Sequence, residues 1–236
     1  MLKKQLILKN PLGFLGYETD DIDQQGNFGA VTSRAGVGKT AFLVQIAISS
    51  LLKDKRVLHI GIQDPVDKVN LWYREMFSNL TQDHDAKQSR QLWESLLTRR
   101  FIMTFETESF DFTKLMARID ELIAQQIFTP QVLILDGLSI DTAMPSELNR
   151  LKKYARQNHF IVWFSIRSHR RHTDDPVGML RQWGGNDPNL FNMIIQLLPD
   201  KDKIQVKRLS LDREINDRPP LFLDPSTMMI KETLES

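Results

Sequence analysis

The sequence contains no cysteine. That excludes disulfides, cysteine-ligated zinc, iron–sulfur clusters and thiol catalysis. It also lacks a charge excess: 31 Lys and Arg face 30 Asp and Glu, for a net charge of +1. Global charge therefore advertises neither a nucleic acid nor a membrane surface, and any basic patch has to be local. No apolar run reaches the roughly 18 residues that a membrane span requires. The opening MLKKQLILKNP holds only a three-residue apolar stretch, Leu6–Leu8, too short for a secretory signal. The expected address is cytoplasmic, with no membrane partner. Repeats, low-complexity tracts and a Gly/Ser/Pro linker are also missing. The expected organisation is a short N-terminal lead, residues 1–25, followed by one domain over 26–236. Glycine is scarce as well, at 11, yet Gly26, Gly29, Gly36 and Gly38 fall within thirteen residues.

What is present reads as alternating strands and helices. Apolar runs at 27–33, 56–62, 131–136 and 160–166 predict strands buried on both faces. A short strand is expected at 101–106. Residues 39–52 are apolar nearly all round, as a buried helix would be. Val66, Val69, Trp72, Tyr73, Met76 and Phe77 predict a helix with Pro65 at its first position. Residues 81–90 are polar and read as a surface loop. Phe112, Leu115, Met116, Ile119, Leu122 and Ile123 predict an amphipathic helix capped by Asp111, with ETESFDF leading into it. A further helix follows Pro145. Strands at 192–198 and 203–209, turned by PDKD, and another at 221–223 predict antiparallel strands on one edge. The fold class expected is α/β, a mainly parallel twisted sheet covered by helices with an antiparallel edge hairpin near the C-terminus.

The chemistry sits in SRAGVGKT, residues 33–40. The phosphate-loop pattern is G-x-x-x-x-G-K-[ST]. Gly38, Lys39 and Thr40 match it, and Ser33 stands in place of the first glycine. Such a loop turns its backbone N–H groups inward around phosphate oxygens, which takes conformations open mainly to glycine. The helix that follows aims its positive end at the same phosphates. Ser33, Arg34, Ala35, Gly36, Val37, Gly38, Lys39, Thr40 and Ala41 are the candidate ATP-binding residues. Lys39 supplies charge to the outer phosphates and the Thr40 hydroxyl suits Mg²⁺. A second element, VLILD, ends an apolar strand in Asp136, a carboxylate placed to hold magnesium beside the loop.

Taken together, GVGKT, RVLHIGIQD, VLILDGLS and FIVWFSIRSHR resemble the RecA-like P-loop ATPases, in particular their KaiC-like, RadA-like and DnaB-like branches. The resemblance spans about residues 26–210, with only the phosphate loop highly specific, and it implies a RecA-like ATPase domain. It implies that an acidic residue after the second strand primes the attacking water. The matching places are Gln63 and Asp64, where the family usually carries glutamate at the first. Gln63 departs from that pattern, and Asp64 also suits a helix cap. The resemblance further implies a polar sensor ending the strand at 160–166, for which Ser165 and Arg167 are candidates. It implies a basic residue on 203–209 that reaches a neighbouring subunit's nucleotide, for which Lys207 and Arg208 stand near. The loop at 167–190 matches one that contacts nucleic acid in the resembling proteins, with Arg170, Arg171, Arg181 and Trp183 as the contacts. Asp174, Asp175 and Asp187 partly cancel that charge, and the alternative is that these arginines clamp ATP or a neighbouring subunit.

Three functions compete on this reading. One is an oligomeric ATPase, a ring or filament acting as motor or switch on DNA or a protein partner. A second is a nucleotide-binding scaffold with little turnover, suggested by Gln63. The third is a P-loop small-molecule kinase whose lid is RSHRR at 167–171.

Overall fold

A computed structural model describes residues 1–17, 26–138, 145–167, 178, 190–209 and 220–232. Among these residues, nine strands form one sheet in the order β3-β2-β4-β5-β1-β6-β7-β8-β9. They are β1 (Phe28–Ser33), β2 (Val57–Ile62), β3 (Arg100–Phe105), β4 (Val132–Leu138), β5 (Ile161–Arg167), β6 (Met193–Asp200), β7 (Lys203–Leu209), β8 (Leu221–Leu223) and β9 (Ile230–Glu232). From β3 to β6 every pairing is parallel. From β6 onward the strands pair antiparallel. The protein is thus α/β with a mostly parallel sheet and antiparallel strands at one edge.

Parallel strands need helical crossovers, and those helices cover both faces. Successive strand residues point to opposite faces, and the buried residues divide accordingly. Val31, Ile134, Trp163 and Ile195 face α3 (Lys39–Leu52) and α4 (Val66–Thr81). Ala30, Leu133, Val162 and Ile194 face α6 (Phe112–Ala124) and α7 (Pro145–Gln157). Full burial of each such aliphatic side chain contributes about 1.5–3 kcal/mol. The sequence is apolar all round α3 because the helix is covered outside as well. Short helices α1 (Leu2–Ile7) and α2 (Pro11–Phe14) pack on it, as does α4. Leu2, Leu6, Leu12 and Leu15 are buried in the same core.

Two local expectations are corrected. Residues 81–90 are not one surface loop, because α5 (Ala86–Leu97) starts inside them. Asp85 caps it by accepting from the Gln88 amide at 2.9 Å. The helix fully buries only Leu96, with Leu92 and Trp93 half-buried against the same core. Pro65 is not the first helical residue of α4 but its N-cap, with ψ 158°. The Asp111 cap is as expected, accepting from the Thr113 and Lys114 amides. No helix among the described residues is long and apolar enough to cross a membrane.

Candidate functional site

The C-terminal ends of the parallel strands share one sheet edge, where ligands of open α/β sheets bind. The chain leaves β1 toward β2 on one side and returns from β5 to β6 on its other side. The SRAGVGKT loop therefore emerges at the reversal of strand order. Ser33, ending β1, lies opposite Arg167, ending β5. On the far side of β5, Asp136 of β4 lies opposite Gly61 of β2. Gln63 and Asp64 follow β2 directly. Loop, Asp136, Gln63–Asp64 and Arg167 thus meet along one edge.

Within the loop, Arg34, Ala35 and Gly36 are exposed, Val37 is buried, and Lys39 and Thr40 are half-buried. Gly36 and Gly38 hold φ values of 77° and 101°, in the left-handed region that glycine enters freely. Gly38 is the N-cap of α3. Lys39 Nζ donates to Arg34 O at 2.8 Å, Ser33 O at 3.1 Å and Ser33 Oγ at 3.3 Å. Burial draws its pKa from 10.5 down to about 8; the charge of Asp136 works against that and Arg167 adds to it. Asp136 and Arg167 are therefore both within electrostatic reach of Lys39. Asp136 is itself buried.

The strand bearing Asp136 is irregular at that point. Its register against β5 shifts between Leu135 and Leu138. Gly137 has φ 93°, the mark of a bulge that re-aims a neighbouring side chain. The Gly137 amide, displaced from the ladder, donates to Ser165 Oγ at 2.7 Å. Ser165, a sensor candidate on the sequence, is fully buried inside the sheet. Gly directly after a strand-end carboxylate, as in VLILDG, is the signal that announces this bulge.

After β2, Gln63 is exposed with φ 93°, a conformation that costs a non-glycine residue about 1–3 kcal/mol and clusters at functional sites. Its amide donates to Phe105 O. Asp64 accepts from Lys68 Nζ at 2.8 Å. The expected cap role of Asp64 gives way to this ion pair, since α4 has no side-chain cap bond.

The basic pair on β7 divides. Arg208 Nη1 donates to Gly16 O at 3.1 Å, and its guanidinium lies 4.0 Å from the centre of the Tyr17 ring. Lys207 is exposed. Arg170, Arg171, Arg181 and Trp183 lie outside the described residues. Two features have no clear signal in the sequence. His59, buried on β2, lies 3.2 Å from Tyr73 OH through Nδ1, and burial first, tempered by Asp136, draws its pKa down to about 4. The turn between β8 and β9 rests on the loop: a Cβ on Gly38 would come 3.2 Å from Met228 Sδ. Gln45 Nε2 holds that turn by donating to Met228 O at 2.7 Å.

The donor set suits one kind of metal. Among the described residues no three His, Asp or Glu side chains gather to hold an ion by themselves. One carboxylate and one hydroxyl, Asp136 and Thr40, fit Mg²⁺, which keeps waters and is shared with substrate phosphates. No protein-family model matches the chain, and no curated protein matches it.

Proposed function

We propose that this chain is a Mg-ATP-binding P-loop ATPase with a RecA-like core, working as an oligomeric motor or switch on DNA or a protein partner. The observation that supports this best is the meeting of three elements at one edge: the glycine loop capping α3, Lys39, and the buried Asp136 within its electrostatic reach. The loop amides and the helix end bind phosphate, and Lys39 leaves its carbonyl partners to charge-pair with the outer phosphates. Thr40 and Asp136 would hold a magnesium ion, which would neutralise charge on the phosphate oxygens. Gln63 and Asp64 face the terminal phosphate from β2 and orient water. The water oxygen bonds to the terminal phosphorus, the bond to the bridging oxygen breaks, and ADP, phosphate and a proton leave. Arg167 senses the terminal phosphate from the end of β5, and the exposed Lys207 reaches a neighbouring subunit.

The scaffold reading, with little turnover, is favoured by one observation. Gln63 has no carboxylate, and that of Asp64 is engaged by Lys68. Two measurements separate the readings. Calorimetry should show Mg-ATP binding that weakens by about 2–3 kcal/mol in Lys39→Ala, the range for a lost bond to a charged group. Phosphate release, with and without single-stranded DNA, should be present in the wild type and absent in Asp136→Asn. Equal ATP binding by wild type and Lys39→Ala sinks the nucleotide site; binding without phosphate release leaves the scaffold.

A further inference from the structure

The bulge in β4 stands between Asp136 and a regular strand. At its crest the Gly137 amide has left the sheet ladder, and a buried N–H without a partner is costly. Ser165 supplies the partner at 2.7 Å. It is buried on β5, the strand that separates β4 from β1 and its phosphate loop. Its register partner on β1 is Val31, two residues before Ser33. The same bulge presses Gly137 against β2, where a Cβ would come 2.1 Å from Ile62 O. Gly137, the residue next to Asp136, is thus held from both sides of its strand, by the Ser165 hydroxyl and by the backbone of Ile62.

We propose that Ser165 is a positioning residue: by holding the Gly137 amide it locks the bulge that aims the Asp136 carboxylate at the magnesium ion of the bound nucleotide. This rests on the Mg-ATP reading above. An apolar side chain at 165 leaves the Gly137 amide unpaired, so the bulge relaxes toward a ladder bond and the carboxylate swings with it. The phosphate loop, on β1, is untouched. The predicted defect is therefore selective for magnesium. Groups that orient metal ligands typically change metal affinity or activity by about 10–100-fold when removed.

The test titrates Mg²⁺ against a fluorescent ATP analogue bound to wild type, Ser165→Ala and Ser165→Thr, with a parallel titration of the analogue in EDTA and circular dichroism of each form. The expected result is an Mg²⁺ midpoint about 10–100-fold higher in Ser165→Ala, with unchanged affinity in EDTA and recovery in Ser165→Thr, which keeps the hydroxyl. Should the alanine form fail to fold, Ser165→Cys, a weaker acceptor of similar size, takes its place. A wild-type Mg²⁺ midpoint in the folded variant overturns the proposal. So does an equal loss of affinity with and without magnesium, the sign of a merely structural role. Wild-type protein that binds no analogue under either condition overturns the nucleotide reading itself, and this proposal falls with it.

Discussion

Gly137 and Ile62 meet backbone to backbone: a Cβ on Gly137 would stand 2.1 Å from the Ile62 carbonyl oxygen. Gly137 also holds φ 93°. Alanine there combines left-handed strain, about 1–2 kcal/mol, with overpacking, about 1–3 kcal/mol. Gly36 separates the two effects, because it shares a positive φ of 77° but has nothing within 4 Å of its Cβ position. Urea unfolding should show Gly137→Ala losing about 2–5 kcal/mol and Gly36→Ala about 1–2 kcal/mol. Equal losses at the two sites would contradict the contact.

The φ of 93° at Gln63 leads to a second prediction. Glycine accepts that conformation without strain, relieving about 1–3 kcal/mol against about 0.4–1 kcal/mol of added unfolded-state entropy, so Gln63→Gly should raise stability by about 1 kcal/mol. If the side chain orients water, the same change lowers ATP turnover while affinity holds. Faster or unchanged turnover in Gln63→Gly would remove Gln63 from the reaction. Asp64→Asn loses an exposed ion pair with Lys68, so its stability should change by less than about 0.5 kcal/mol. Its turnover should fall at constant ATP affinity, and a wild-type rate would leave Asp64 with the Lys68 pair alone.

A good part of this was legible in the sequence, for physical reasons. Strands buried on both faces cannot alternate, so β1, β2, β4 and β5 appear as apolar runs. The glycine loop was legible as a turn into a helix because Gly36 and Gly38 hold positive φ at fixed offsets before α3. Helix α5 was not legible at its start, because its first half, AKQSRQ, is polar and its apolar face begins only at Leu92, Trp93 and Leu96. Strand order was not legible either, although VLILD following the glycine loop already led to the expectation of Asp136 beside it. The tasks of Ser165 and Arg208 depend on partners 28 and 192 residues away, and no local pattern records such pairs.

Lys39 predicts a pH dependence. Its pKa in the free protein is lowered to about 8, chiefly by burial. Bound phosphates favour the charged form and raise it. ATP affinity should thus be full below pH 8 and fall as pH rises through 8 toward the bound value. Binding at about pH 8.5 should take up protons, seen by calorimetry in two buffers of different ionisation enthalpy. Stability runs the other way. Between about 8 and 10.5 the unfolded chain keeps the Lys39 proton that the folded chain has lost, so the Lys39 contribution to stability rises with pH across that window. Arginine stays charged throughout, so Lys39→Arg should abolish the proton uptake. Uptake that persists in that variant would assign it to another group.

The basic pair on β7 offers the last prediction. Arg208 donates to Gly16 O and stacks on Tyr17, and so ties the N-terminal segment to the sheet edge. A hydrogen bond from a charged group is worth about 1.5–3 kcal/mol, and a cation–π contact about 0.5–1 kcal/mol at an exposed site. The geometry is partly buried and the neighbours relax, so Arg208→Ala should lose about 2 kcal/mol. The loss should fall first on the segment that Arg208 holds, so limited proteolysis should cleave near Tyr17 sooner in the variant. Lys207 is exposed, and Lys207→Ala should alter stability by less than about 0.5 kcal/mol. If Lys207 reaches a neighbouring subunit's nucleotide, its loss lowers turnover only where the protein is oligomeric. The signature is a specific activity that rises with protein concentration in the wild type and stays flat in Lys207→Ala. Activity that climbs equally in both would take Lys207 out of any subunit interface, and a fall in turnover without destabilisation in Arg208→Ala would return that role to Arg208.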